Sequence, residues 1–144
     1  MMLTSSSFED KQEIPRRHGK KAGNVSPALS WDDPPPGTRS FALVMVDRHP
    51  VAQDYVHWLV TDIGADTMVL PEGAADGAMP AGSSEVSPYA GPLPPSGTHD
   101  YEVTVYALDT DHVEVPRGAS FQQFVAAVEP YTLDVATMLG SFTA

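Results

Sequence analysis

Apolar side chains run almost without interruption from Ser40 to Asp47 (SFALVMVD), the pattern of a strand covered on both faces. His57 to Ile63 (HWLVTDI) predicts a second strand, joined to the first by residues 48 to 56. If the two are antiparallel neighbours, Asp47 and His57 come to the same sheet edge. From Tyr101 to Asp109 the pattern alternates, with Tyr101, Val103, Val105 and Ala107 on one side and Glu102, Thr104, Tyr106 and Leu108 on the other. The period then lengthens. Ser120 opens a helix with Gln123 in the capping-box position, Phe121, Phe124, Val125 and Val128 form its apolar stripe, and Pro130 stops it. Thr132 is read as the cap of a second short helix through Leu139, ended by Gly140.

Between these elements the chain is punctuated by stiff or polar segments. Residues 1 to 23 lack clear periodicity, apart from a short extended piece around Ile14, and read as an arm laid on the domain. Asp32 to Thr38 (DDPPPGT) is a rigid turn. Gly64 to Pro88 is a long excursion rich in alanine, glycine, serine and proline, expected to be mobile in part. The whole describes a single domain over residues 1–144, mainly β, with two short helices at the C-terminal end. The alternation of strand and helix that marks a parallel sheet is missing.

Composition narrows the chemistry. The chain has no cysteine, which removes disulfides, thiolate metal sites and cysteine nucleophiles. No apolar run is long enough for a membrane span and no secretory leader pattern opens the sequence, so a cytoplasmic protein without integral membrane association is expected. The net charge is −11, and it is unevenly placed. Lys11, Arg16, Arg17, Lys20 and Lys21 crowd the start of the chain, whereas from Ala22 onward three basic residues face sixteen acidic ones, a net −13. That surface repels polyanions, so nucleic acid is not an expected partner. The basic cluster reads first as a solvated turn and second as a phosphate contact. Strong acidity with three lysines also raises adaptation to high salt.

Tyr89 to Tyr101 (YAGPLPPSGTHDY) is the segment around which the candidate chemistry gathers. Pro92, Pro94, Pro95, Gly91 and Gly97 rule out helix and ladder strand and leave a shaped loop. It delivers His99 to the mouth of the strand that starts at Tyr101, a common setting for binding chemistry. The plainer reading makes His99 incidental to a hairpin loop, Asp47 a strand cap, and His57 a sheet residue satisfied by a backbone carbonyl.

Taken together, Asn24–Trp31 (NVSPALSW), Pro36–Val46, His57–Ile63, the GPxPPxGxH loop and Val103–Asp109 resemble, in collinear order, the phosphatidylethanolamine-binding proteins, in their bacterial and archaeal Raf-kinase-inhibitor-like branch. The resemblance implies two antiparallel sheets packed as a β-sandwich, a small anion-accepting pocket at one edge, and C-terminal helical structure beside it. It carries pocket roles to Asp47, His57, His99 and Tyr101, and to Tyr89, Gly91 and Leu93 of the loop. It also implies a homodimer and a regulatory, kinase-inhibitor-like role. The sequence departs from the family where a DPDAP motif is usual. Here Asp47 is followed by Arg48, His49, Pro50 and Val51, so Arg48, His49 and Pro50 become candidates for an altered pocket wall. Asp100 stands where a basic residue is usual, and Pro130–Tyr131 replace a Gly-His pair.

The chemistry so implied is recognition of a small anionic ligand of phosphate, phosphoethanolamine or carboxylate type. Two imidazoles would donate to phosphate oxygens, Asp47 would fix their tautomer, and backbone N–H groups around Gly91 would add a concave nest. Binding would strengthen as pH falls. No cofactor and no resident metal are called for. The alternative from a different class is a hydrolase or metal-dependent enzyme using Asp47, His57 and His99, with Ser87 or Ser96 near at hand, although no GxSxG, HExxH or GxxxxGK pattern occurs.

Overall fold

The computed structural model describes residues 1–144. The strands are β1 (Leu3–Thr4), β2 (Gln12–Glu13), β3 (Leu29–Trp31), β4 (Ser40–Asp47), β5 (Val56–Gly64), β6 (Val69–Leu70), β7 (Ser84–Ser87), β8 (Thr98–Leu108) and β9 (Thr132–Thr143), with one α-helix, α1 (Phe121–Val128). They form a three-stranded sheet ordered β1-β3-β6 and a six-stranded sheet ordered β2-β9-β8-β4-β5-β7. All pairings are antiparallel except β2 with β9, which is parallel.

β4 is buried along its entire length because the large sheet is covered on both faces. Phe41, Leu43 and Met45 pack toward Leu3, Leu29, Trp31 and Leu70 of the small sheet. Ala42, Val44 and Val46 face the other way, onto Phe124 and Val128 of α1. The unbroken apolar run thus reflects two cores, each fully buried side chain contributing about 1.5–3 kcal/mol.

The helix at Ser120 forms as its capping signal requires. Ser120 Oγ accepts the Gln123 N–H at 3.1 Å, and Gln123 Oε1 accepts the Ser120 N–H at 2.9 Å. The second helix expected over Thr132–Leu139 is instead the start of β9, a strand of 12 residues. From Ala136 the side chains alternate, with Ala136, Met138 and Phe142 turned into the core, and β8 offers a partner along the whole strand. β-branched Thr132, Val135 and Thr137 suit that pleated position. Gly140 is not a helix stop, since a Cβ there would run into Ile14 and Phe8.

Two other segments are more built than the sequence indicates. The arm supplies β1 to one sheet and β2 to the other and buries Leu3, Phe8, Ile14 and His18. The excursion after Gly64 contains β6 and β7, again one strand for each sheet.

Candidate functional site

The loop between β7 and β8 has no regular structure, as its prolines dictate, and it is held from outside by the arm. Tyr89 Oη donates to the His18 carbonyl at 2.8 Å, and Lys20 N donates to the Pro92 carbonyl at 3.1 Å. Asn24, in left-handed backbone conformation, accepts the Gly91 N–H at 2.7 Å through Oδ1. Gly91 is required for this contact because a Cβ would strike the His18 carbonyl oxygen and the backbone of Gly19 and Lys20.

The opposite wall comes from the strand ends. β4 pairs with β8 so that Asp47 lies opposite Tyr101, which brings Asp47 beside His99. Asp47 Oδ2 accepts His99 Nδ1–H at 2.7 Å, and Oδ1 accepts the His49 N–H at 2.9 Å. Both members of the Asp47–His99 pair are buried, and the His49 ring stacks on His99 with centroids 4.0 Å apart. His57, on β5, donates from Nδ1 to the Ala90 carbonyl at 2.6 Å. Its ring meets Tyr55 and Tyr101 edge to face, at 4.9 and 5.2 Å.

These walls border an open cavity of about 300 Å³. Asp47, His57, Gly91, Leu93 and His99 are among the residues that line it. Tyr101 and Tyr89 stand behind the wall instead. Tyr101 is fully buried between the two imidazoles with no hydrogen-bond partner for its hydroxyl, and Tyr89 packs on Trp58. The suspected extra wall of Arg48, His49 and Pro50 does not line the cavity. Arg48 turns away to pair with Asp54 at 2.7 Å and to cover the Phe121 ring, His49 backs His99, and Pro50 starts a short 3-10 turn. That turn nevertheless presents Val51 and Ala52 to the cavity, and Lys20 and Tyr55 complete its rim. Lys20 is absent from the pocket residues that the resemblance implies, and the sequence names it only within the basic cluster whose second reading is a phosphate contact. Only the docking of the arm on Gly91 brings it to the pocket.

The electrostatics follow from this packing. Burial pushes the His57 imidazole below its ordinary value and the Lys20 charge adds to that, against the opposing pull of the Ala90 carbonyl and Asp47. His57 therefore stays neutral to lower pH than an ordinary imidazole, contrary to the expectation of a readily charged pair. Burial first, and the Asp47 charge second, push the Tyr101 phenol up. The expected nest at Gly91 is absent, because the Gly91 N–H is spent on Asn24 and the Ala90 N–H on the His57 carbonyl at 2.8 Å. No set of three or more His, Asp or Glu side chains is arranged to hold a metal ion. The Asp47 carboxylate instead grips His99 and the backbone of His49. Neither Ser87 nor Ser96 is hydrogen-bonded to an imidazole. No helix is long and apolar enough to cross a membrane.

Comparison with known proteins places the fold. The family model described as phosphatidylethanolamine-binding protein matches residues 4–143. The UPF0098 protein YbhB of Escherichia coli is 37% identical, the match covering 99% of this chain and 100% of YbhB. A UPF0098 protein of Methanothermobacter thermautotrophicus is 36% identical over 99% of this chain and 98% of its own. The crystal structure of Escherichia coli YbcL, described as a new member of the mammalian PEBP family, superposes with a TM-score of 0.89 at 26% identity, covering 99% of this chain and 98% of YbcL. With the two-sheet fold, the arm-clamped proline loop and the Asp47–His99 pair all in place, the chain belongs to the phosphatidylethanolamine-binding protein family.

Proposed function

We propose that this protein binds a small, phosphate-bearing anion in the cavity between the proline loop and the ends of β4 and β5. The observation that carries this reading is the convergence of the buried Asp47–His99 pair, His57 and Lys20 on one open pocket. Lys20 makes no ion pair within the protein, so its charge is available to a ligand. A regulatory role, of the kind the family name of the kinase inhibitors implies, would act through occupancy of this pocket. The size of the cavity suits a headgroup or small metabolite.

The test is a two-dimensional NMR titration of the histidine side chains with phosphate, phosphoethanolamine and acetate, on the wild type and on His99→Ala. His57 and His99 should shift together and saturate, and the variant should lose the response. Silence from both rings at millimolar ligand would sink the reading.

A homodimer finds support in one surface feature. Tyr131, Leu133 and Val135, each 40–45% exposed, crowd the start of β9 as bare apolar surface. Light scattering across a concentration series should give a mass twice that of the chain, and a constant monomer mass would remove the proposal.

A further inference from the structure

The proton inventory of the cavity specifies its ligand more closely than its charge does. This argument rests on the anion-pocket reading above. A carbonyl oxygen only accepts, so the 2.6 Å contact with Ala90 fixes the proton of neutral His57 on Nδ1. His99 likewise commits Nδ1–H to Asp47 at 2.7 Å. In a neutral ring held this way, as His57 is, the nitrogen left over, Nε2, carries a lone pair and accepts. The surrounding backbone supplies few donors in compensation. The N–H groups of Ala90, Gly91 and Lys20 are bonded to His57, Asn24 and Pro92, and that of His49 to Asp47. Pro92, Pro94 and Pro95 have none. The Lys20 ammonium and the Tyr55 hydroxyl on the rim remain as donors, with the Leu93 N–H on the loop and the unpartnered Tyr101 hydroxyl behind the wall.

The wall is thus rich in acceptors, with Asp47 and His57 Nε2 facing a ligand that must itself accept from Lys20. The charged and titratable groups near the two rings are Asp47 from β4, His49 and Tyr55 from the β4–β5 connection, Tyr101 from β8 and Lys20 from the arm. An oxyanion stripped of protons presents only lone pairs to His57 Nε2 and to Asp47. A phosphate monoanion or phosphomonoester that retains a P–O–H meets both needs, accepting from Lys20 and donating to Nε2. The burial that disfavours charge on His57 adds to the same preference.

We infer that this cavity selects oxyanions that still carry a proton, the monoanions of phosphate and phosphomonoesters, over fully ionised ones such as sulfate, with Lys20 rather than His57 supplying the positive charge. Lys20 and His57 act together as specificity determinants. A site whose buried acceptors go unmet by a ligand lacking the proton discriminates strongly, and at least about tenfold is expected here.

The experiment compares inorganic phosphate, sulfate and monofluorophosphate at pH 7 and fixed ionic strength, following the ring 15N and 1H resonances of His57 and His99. Monofluorophosphate keeps the tetrahedral shape but replaces the hydroxyl with fluorine and is a dianion at this pH. Phosphate should bind at least about tenfold more tightly than either of the others, and the free protein should show His57 as a neutral Nδ1–H tautomer and His99 with its proton on Nδ1. Lys20→Met should weaken phosphate binding by a similar factor. Equal affinity for the three anions, or an imidazolium at His57 in the free protein, would overturn the selectivity while leaving an anion pocket in place. Unchanged phosphate affinity in Lys20→Met would overturn the role given to Lys20. Absence of any response to all three would overturn the pocket itself.

Discussion

Gly91 lies so close to the carbonyl oxygen of His18 that no side chain fits between them. The contact joins the proline loop to the arm, and three fixed backbone groups surround it, so neither partner can swing aside. Gly91→Ala is therefore expected to lower stability by about 1–3 kcal/mol and to displace Lys20 from the rim. Urea unfolding measures the first effect, and amide shift changes at residues 18–24 the second. A variant with wild-type stability and unaltered shifts would mean that the arm is not clamped there.

Asp47 satisfies two donors at once, His99 Nδ1–H and the His49 N–H. Asp47→Ala leaves both without an acceptor inside the fold. A loss of about 1–3 kcal/mol is expected, together with release of the His99 tautomer. Nitrogen shifts of the His99 ring report the tautomer directly, and a ring that keeps its proton on Nδ1 in the variant would contradict the assignment.

Three histidines should titrate on opposite sides of the ordinary imidazole value near 6.5. Burial lowers His18 and His57, whereas hydrogen bonds to Asp62 and then Glu114 raise His112. For the lowered pair the unfolded chain takes up protons first, so their contribution to stability is present above about pH 6.5 and is lost as pH falls toward the folded values. For His112 the sign reverses, with the contribution complete below that pH and lost as pH rises through its raised value. His112 is exposed, and its share is small. The urea midpoint should therefore decline between pH 7 and 5, less steeply in His57→Phe. A midpoint that rose over that interval would refute the assignment.

Ser120→Ala removes the hydroxyl that accepts the Gln123 N–H at the start of α1. The expected cost is about 1 kcal/mol with no change in the anion response, since α1 packs on the face of the large sheet away from the small one. A loss of binding in this variant would show coupling between the second core and the pocket.

Much of this architecture is legible in the residues themselves. β4 and β8 announce their burial through a continuous run and a clean alternation, and the capping box marks α1 to the residue. The meeting of Asp47 and His57 follows once β4 and β5 are taken as antiparallel neighbours, whereas His99 joins them through the pairing of β4 with β8. β9 is misread because Thr132 and Gly140 imitate the punctuation of a helix, whereas the decisive facts are a partner strand and two side chains pressed on Gly140. Lys20 is missing from the implied pocket for a related reason. Its position depends on a backbone-to-backbone contact with Gly91, and such contacts leave no periodic trace. The spent N–H groups around the pocket are equally invisible, because hydrogen-bond accounting needs partners and not patterns.

The clamp on the proline loop joins residues far apart in the chain, 67 positions between Asn24 and Gly91 and 71 between His18 and Tyr89. Contacts of such separation are slow to form and cannot be assembled locally. The pocket is thus complete only when arm, loop and both sheets have come together. Ligand capture then serves as a maturation assay for newly made protein, reporting on chains that have finished folding and passing over those that have only collapsed.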